Sequence, residues 1–219
     1  MPPETRVLPQ TLAADLLRIK AVGFSPDAPF TWASGLKSPV YCDNRLTLAW
    51  PDVRARIAAG FGALIQAAGW QPEVIIGTAT AGIPHAAWLA DRLQLPMAYV
   101  RSKPKDHGRG NQIEGRVEAG QQGVIVEDLV STGMSSLAVV QAVREAGVAV
   151  LGVVAIFSYD LPVARQAFAA AQVPLRPLLT FADLLSVAQA EALLSPDALA
   201  SLQAWHADPQ AWSDARISG

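Results

Sequence analysis

The sequence predicts one α/β domain built on a parallel sheet, with a small appendage. Three observations carry this reading. A chain of 219 residues with 51% apolar positions is long enough for one full core and short for two independent domains. From Glu73 onward, short β-rich runs alternate with helical or loop segments, as the units of a parallel sheet do. After the first and third runs comes a turn rich in Gly, Ser or Thr and then a helix. Two such turns should open at the carboxyl edge of the sheet, where open α/β sheets bind their ligands.

The elements follow in order. Leu12, Leu16 and Ile19 recur at helical spacing, which predicts an amphipathic helix over residues 11–22 with Gly23 as its stop. Pro51 suits a helix start, and Val53, Ile57, Leu64 and Ile65 carry an apolar face to a stop at Gly69. Strands are expected over residues 74–77, 97–100, 124–126 and 148–157. Residues 102–115 are polar, rich in glycine and charge, and without periodicity, which predicts a long exposed loop serving as a mobile lid. The tail from Phe181 predicts two short helices, one starting near Pro196, with Trp205 and Trp212 packing it back onto the domain.

Composition narrows the function. A formal net charge of −2 gives no general attraction to nucleic acid or to anionic membrane surfaces, so any anion site has to be local. Cys42 is the only cysteine, which excludes an internal disulfide and a cysteine-based zinc site and fits a reducing compartment. The cytoplasm is therefore the expected location. No stretch approaches the roughly 18 uninterrupted apolar residues needed to span a bilayer, and the first ten residues lack the basic-then-apolar pattern of a signal peptide.

The strongest chemical signal is Val124-Ile125-Val126-Glu127-Asp128-Leu129-Val130-Ser131-Thr132-Gly133-Met134-Ser135-Ser136: a buried strand, two carboxylates, and a hydroxyl-rich turn entering a helix. Amides at a helix start, hydroxyls from Ser131, Thr132 and Ser135, and close approach at Gly133 suit a phosphate monoester. Two carboxylates would repel a bare phosphate. They suit the 2′- and 3′-hydroxyls of a ribose whose 5′-phosphate fills the turn, and they favour positive charge developing on the ribose ring. An ordinary helix cap after a strand would account for any one of these residues, but not for the whole run.

Gly77-Thr78-Ala79-Thr80-Ala81-Gly82-Ile83-Pro84 also lies between a strand and a helix. Ile83-Pro84 stands where a P-loop needs Lys and Ser/Thr, so this is not one. Small residues between two glycines let amides approach a second anion such as a pyrophosphate, although alone they read equally well as a tight turn. Arg101-Ser102-Lys103-Pro104-Lys105-Asp106-His107-Gly108-Arg109 concentrates cations at the start of the lid. Such a run is usually a solvated face. Here its closure would bring Arg101, Lys105 and His107 onto a leaving pyrophosphate and exclude water.

Together these motifs resemble the type I phosphoribosyltransferases. Within that class, Phe30-Thr31-Trp32-Ala33-Ser34-Gly35-Leu36-Lys37-Ser38-Pro39-Val40-Tyr41-Cys42-Asp43 and the Arg-x-Lys-x-Lys-x-His loop resemble the orotate phosphoribosyltransferase family. The resemblance implies a Rossmann-like parallel sheet core flanked by helices, over about residues 51–180. Above it would lie a small hood, mainly residues 1–50 with part of the C-terminal tail, and residues 102–115 would be the flexible catalytic loop. It implies a homodimer in which the lid of one subunit completes the neighbour's site.

The implied reaction is transfer of a phosphoribosyl group from phosphoribosyl diphosphate to orotate. In it Lys105, His107 and Asp128 would be catalytic, with Lys105 assisting the leaving group. Arg101, Lys105, His107, Glu127 and Asp128, with Leu129, Val130, Ser131, Thr132, Gly133, Met134 and Ser135, would bind phosphoribosyl diphosphate. Thr78, Ala79, Thr80, Ala81 and Gly82 would form the pyrophosphate loop, and Ser131, Tyr41 and Cys42 would meet orotate. Magnesium (Mg2+) would be held mainly by the substrate, with no direct protein ligand. Cys42 itself reads as packing, and His85 and His206 as structural or surface residues.

The chain departs from some members of the family, which carry lysines where it has Ala33, Ala81 and Ser102, and an arginine for orotate in the region of Ser158-Tyr159-Asp160-Leu161. No arginine is therefore assigned to the orotate carboxylate. The alternatives are a phosphoribosyltransferase for another nucleobase and a non-catalytic sensor of phosphoribosyl diphosphate.

Overall fold

The computed structural model describes residues 3–32, 35–102 and 112–217, with side chains from Pro9 onward. In chain order the elements are α1 (Pro3–Arg18), β1 (Val22–Phe24), β2 (Phe30–Thr31), β3 (Lys37–Ser38), β4 (Val40–Cys42), a 3-10 helix (Asn44–Ala49), α2 (Pro51–Ala67) and β5 (Val74–Thr78). Then come α3 (Gly82–Leu93), β6 (Met97–Val100), β7 (Ile113–Gly115), β8 (Gln122–Val130), α4 (Met134–Glu145) and β9 (Ala149–Ser158). The chain closes with α5 (Pro162–Ala170), β10 (Leu175–Thr180), α6 (Phe181–Ala190), α7 (Pro196–Ala207) and α8 (Pro209–Ile217).

Six strands form one sheet in the order β10-β9-β8-β5-β6-β7, parallel throughout except for β7, which runs antiparallel to β6. Both faces are covered. On one side Ile75, Val124, Val126 and Ile156 pack with Leu12 and Leu16 of α1, Ile57 and Phe61 of α2, and Leu184 of α6. On the other, Ile76, Ile125 and Val153 pack with Val139 and Val143 of α4 and Phe168 of α5. Burial on both faces is why these strands read as continuous apolar runs rather than alternating ones. Each fully buried Val, Ile or Leu side chain contributes about 1.5–3 kcal/mol.

Above the carboxyl edge, two short antiparallel pairs, β1 with β4 and β2 with β3, form the hood. The C-terminal helices belong to it as well. Ser213 of α8 accepts the Lys37 backbone N–H at 2.9 Å, and Trp205 of α7 packs edge-on against Trp32 at 5.7 Å. Trp205 and Trp212 are both buried, as expected for a tail folded back onto the domain. Among the described residues no helix is long and apolar enough to cross a membrane.

Several boundaries differ from expectation. Helix α1 ends at Arg18, and Val22 and Gly23 open β1 instead of closing the helix. The stop is Lys20, at φ 59°, with the Lys20 N–H bonded to Leu17 O and the Ala21 N–H to Leu16 O. This is the paired closure usually built on glycine, here adopted by lysine. The Gly69 stop after α2 is as expected, at φ 68°. The third run extends past its expected end to Val130, so Glu127 and Asp128, expected to end the strand, lie within it. The expected loop over residues 102–115 is shorter, because Ile113–Gly115 is the edge strand β7 with Ile113 buried. Residues 103–111, which include Lys105 and His107, lie outside the described residues.

Candidate active site

The site begins where β8 crosses the middle of the sheet. Alternation along this strand turns Glu127 toward α4, where Ser136 Oγ donates to its carboxylate at 2.9 Å; the Asp128 N–H donates to the same group at 3.1 Å. Glu127 is 4% exposed. Burial, reinforced by the neighbouring charge of Asp128, pushes its pKa up to about 8. Burial raises Asp128 as well. Two adjacent carboxyls, Glu127 buried and Asp128 partly buried, are poised in their ionised form to accept hydroxyl hydrogens from a ligand that replaces their lost solvent.

Beyond Val130 the chain turns through Ser131, Thr132 and Gly133 into α4. Gly133 is at φ 83°, and a Cβ there would stand 2.8 Å from the Phe168 ring, so glycine is required on both counts. No side chain caps α4, which leaves its first-turn amides and the positive end of its dipole available to an anion. Ser131 and Thr132 are half-buried, Ser135 is exposed, and Met134 is 77% exposed. The sequence-predicted phosphate turn is thus accessible to solvent at a helix start.

The second turn lies beside it. The Ala79–Thr80 peptide is cis. A cavity of about 130 Å³ is bounded by Thr78, Ala79, Arg101, Ser102 and Ser135, so both turns and the first residue of the cationic segment share one space. Thr78 Oγ1 is sealed and has no partner among the described residues. The glycines here serve packing as much as anion approach. A Cβ on Gly82 would stand 2.5 Å from Val126 O, and one on Gly77 3.0 Å from Ile83 Cα. Arg101 pairs with Glu114 of the same chain at 3.6 Å.

The hood supplies the third part. A cleft of about 250 Å³ lies between Thr31, Trp32, Tyr41, Cys42, Leu129, Ser131 and Tyr159. The structure therefore gathers the three residues predicted for orotate, Tyr41, Cys42 and Ser131, around one opening. Cys42 is buried, its thiol donates to Asn44 Oδ1 at 3.4 Å, and burial raises its pKa well above the usual thiol range, which fits packing and not nucleophilic attack. Asn44 in turn donates to the Asp128 backbone carbonyl at 2.7 Å. Asn44 O accepts from Thr47 Oγ1, and Thr47 lies 3.3 Å from His85 Nε2. His85 is a buried structural residue, held neutral because burial lowers its pKa to about 4.

Asn44, Ser136 and Tyr159 escaped the sequence reading. Asn44 directly follows the quoted hood motif, and Tyr159 follows the strand next to β8, so the carboxyl-edge rule could have found both. Ser136 needed only the i+9 relation to Glu127 across the turn. Among the described residues no group of three or more His, Cys, Asp or Glu could hold a metal ion.

Comparison with known proteins accords with this geometry. Residues 47–166 match the phosphoribosyl transferase domain family. The chain is 53% identical over 205 residues to the orotate phosphoribosyltransferase of Lactococcus lactis, covering 94% of this chain and 98% of that one. It overlays on the Mycobacterium tuberculosis orotate phosphoribosyltransferase in complex with 5-phospho-α-D-ribosyl 1-diphosphate with a TM-score of 0.61 at 26% identity, covering 80% of this chain and 97% of that one. The Leishmania donovani UMP synthase shares the fold, with a TM-score of 0.77 at 23% identity over 90% of this chain, which spans 42% of that longer protein. With 53% of the aligned positions identical along nearly the full length of a relative, and with β8 and its phosphate turn inside the matched segment, the chain belongs to the orotate phosphoribosyltransferase family.

Proposed function

We propose that this protein transfers the 5-phosphoribosyl group from phosphoribosyl diphosphate to orotate, giving orotidine 5′-monophosphate and pyrophosphate. The observation that carries this is the Glu127–Asp128 pair on β8, Glu127 buried and Asp128 partly so, flanked by an uncapped helix start on one side and the aromatic hood cleft on the other. A ribose held by the pair, with its 5′-phosphate at residues 131–135, would direct C1 toward a flat base in the cleft. The C1–oxygen bond to diphosphate breaks, pyrophosphate leaves with the electron pair, and orotate N1 bonds to C1 as its proton passes to the departing pyrophosphate. The two carboxylates favour the positive charge that develops on the ribose.

Carboxylate, hydroxyl and diphosphate oxygens form a hard donor set that suits magnesium, held here chiefly through the substrate. When bound, it supplies charge neutralisation to the diphosphate. Lys105 and His107, with Arg101, would reach the leaving group from the partner subunit of a homodimer. The unpaired thiol of Cys42 supports a reducing, cytoplasmic setting.

The reaction is tested by mixing purified protein with orotate, phosphoribosyl diphosphate and magnesium and following loss of orotate absorbance. The expected result is magnesium-dependent loss with orotidine monophosphate formed, and no product from uracil or purines at equal concentration. Reaction with a purine alone would overturn the substrate assignment. Site sharing is tested by mixing a Lys105→Ala protein with a Thr132→Ala protein after subunit exchange. Recovery of about a quarter of wild-type activity is expected, since one intact site forms in each mixed dimer and half the dimers are mixed. No recovery despite proven exchange removes the sharing.

A further inference from the structure

The cleft that would receive the pyrimidine contains no charged residue among those lining it. Orotate presents two ring carbonyls and a carboxylate, so it brings more acceptors than the neutral wall has obvious donors. The polar groups of that wall can be sorted by what already holds them. The Cys42 thiol donates to Asn44 Oδ1, Thr31 Oγ1 accepts from Lys37 Nζ at 2.8 Å on the exposed rim, and the Tyr41 hydroxyl lies beside Asp43 on the lip. Ser131 borders the phosphate turn. Tyr159 remains, and it differs from the others.

Its residue is 2% exposed, and its ring is fixed from several directions: Phe157 at 5.0 Å, Trp32 at 5.2 Å, Trp205 at 5.5 Å and Phe181 at 6.4 Å between centroids. The backbone is fixed as well. The Tyr159 N–H donates to Val130 O at 3.0 Å, and its carbonyl accepts from His206 Nε2 at 2.7 Å. Yet its hydroxyl has no hydrogen bond among the described residues, and it is not one of the sealed polar atoms left without a partner, which are Thr78 Oγ1, His85 Nδ1 and Trp205 Nε1. On a residue that lines the cleft, a hydroxyl neither bonded nor sealed is a polar group open to it. A phenol clamped at its ring and unbonded at its tip is a preorganised donor awaiting an acceptor.

We infer that Tyr159 is a specificity-determining residue whose hydroxyl donates to an acceptor oxygen of bound orotate. This rests on the substrate reading above. His206, whose ring stacks on Phe181 at 4.8 Å while its nitrogen holds the Tyr159 carbonyl, is a positioning residue for that donor.

The test is Tyr159→Phe in the full chain, which removes one oxygen and leaves the ring packing intact. The parent is assayed first, and failure of the parent to convert orotate would sink the substrate reading itself, before any variant is compared. Given an active parent, KM for orotate should rise at least fivefold in the variant, as expected for losing a hydrogen bond in a water-poor site. KM for phosphoribosyl diphosphate should stay within twofold, and the thermal midpoint within about 2 °C, because a hydroxyl without a protein partner contributes nothing to the fold. An orotate KM that rises less than fivefold, or a rise in both KM values by the same factor, would overturn the assignment.

Discussion

Glu127 sits at 4% exposure with a pKa of about 8, against an ordinary value of 4.5. Between those values the folded chain keeps a proton that the unfolded chain has released. Its contribution to stability is therefore fully present below about pH 4.5 and is lost as pH rises through about 8. Glu127→Gln keeps the shape and removes the charge. Urea melts should show the variant more stable than the parent by about 1–3 kcal/mol at pH 9, with the gap nearly closed at pH 5. A variant less stable at both pH values would show that Glu127 is ionised in the fold at every pH. The same titration should appear in function. With the pair ionised to accept ribose hydroxyls, kcat/KM for phosphoribosyl diphosphate should climb with pH to about 8, and Glu127→Gln should lack that limb. The acid pair was legible in the sequence because two carboxylates beside a phosphate turn conflict unless a sugar lies between them. Ser136 and Asn44 were not, because a single polar residue acquires its role only from a partner that folding brings up, here Glu127 and the Asp128 carbonyl.

At the scale of elements, Gly82 and Gly62 make opposite predictions from one residue type. Gly82 opens α3 hard against β8, and a Cβ would stand 2.5 Å from the Val126 carbonyl oxygen, a backbone atom that cannot rotate away. Gly82→Ala should cost about 1–3 kcal/mol by overpacking and lower the thermal midpoint by several degrees. Gly62 lies within α2, where a Cβ would meet only Leu93 Cδ2 at 4.0 Å, so Gly62→Ala should stabilise by about 0.5–1 kcal/mol. Scanning calorimetry of the pair checks both signs; equal shifts would show that glycine packing does not set the α3–β8 approach. In the sequence Gly77 and Gly82 suit anion approach or a tight turn, since spacing alone cannot distinguish a ligand's oxygen from a neighbouring strand's. Elements escaped for similar reasons. β10 carries Pro177, which argues against a strand but is tolerated at a sheet edge, where β10 lies. The hood strands, at two or three residues each, are too short to show a period.

Across the whole molecule, the parallel core was readable from repeating local patterns, whereas the hood is assembled from the two ends of the chain and only long-range contacts define it. It is tied down at three places: Asn44 to the Asp128 carbonyl, the Trp32–Tyr159–Trp205 ring cluster, and Ser213 of α8 to the Lys37 N–H of β3. The last tie spans 176 residues and joins α8 to the hairpin that carries Thr31 and Trp32, so it affords a test of whether the tail shapes base recognition. Ser213 is 1% exposed, and Ser213→Ala leaves the Lys37 N–H without its acceptor, at a cost of about 1–3 kcal/mol. The β2–β3 pair has only two residues to a strand, and its other ties, Trp32 N–H to Leu36 O and Lys37 Nζ to Thr31 Oγ1, are local to the hairpin. Loosening it should raise KM for orotate about threefold or more, because Thr31 and Trp32 line the cleft, while KM for phosphoribosyl diphosphate stays put. Steady-state kinetics with each substrate varied in turn measures both. If the two constants move together, the tail stabilises the domain as a whole; if only orotate responds, the C-terminal helices are part of the base site.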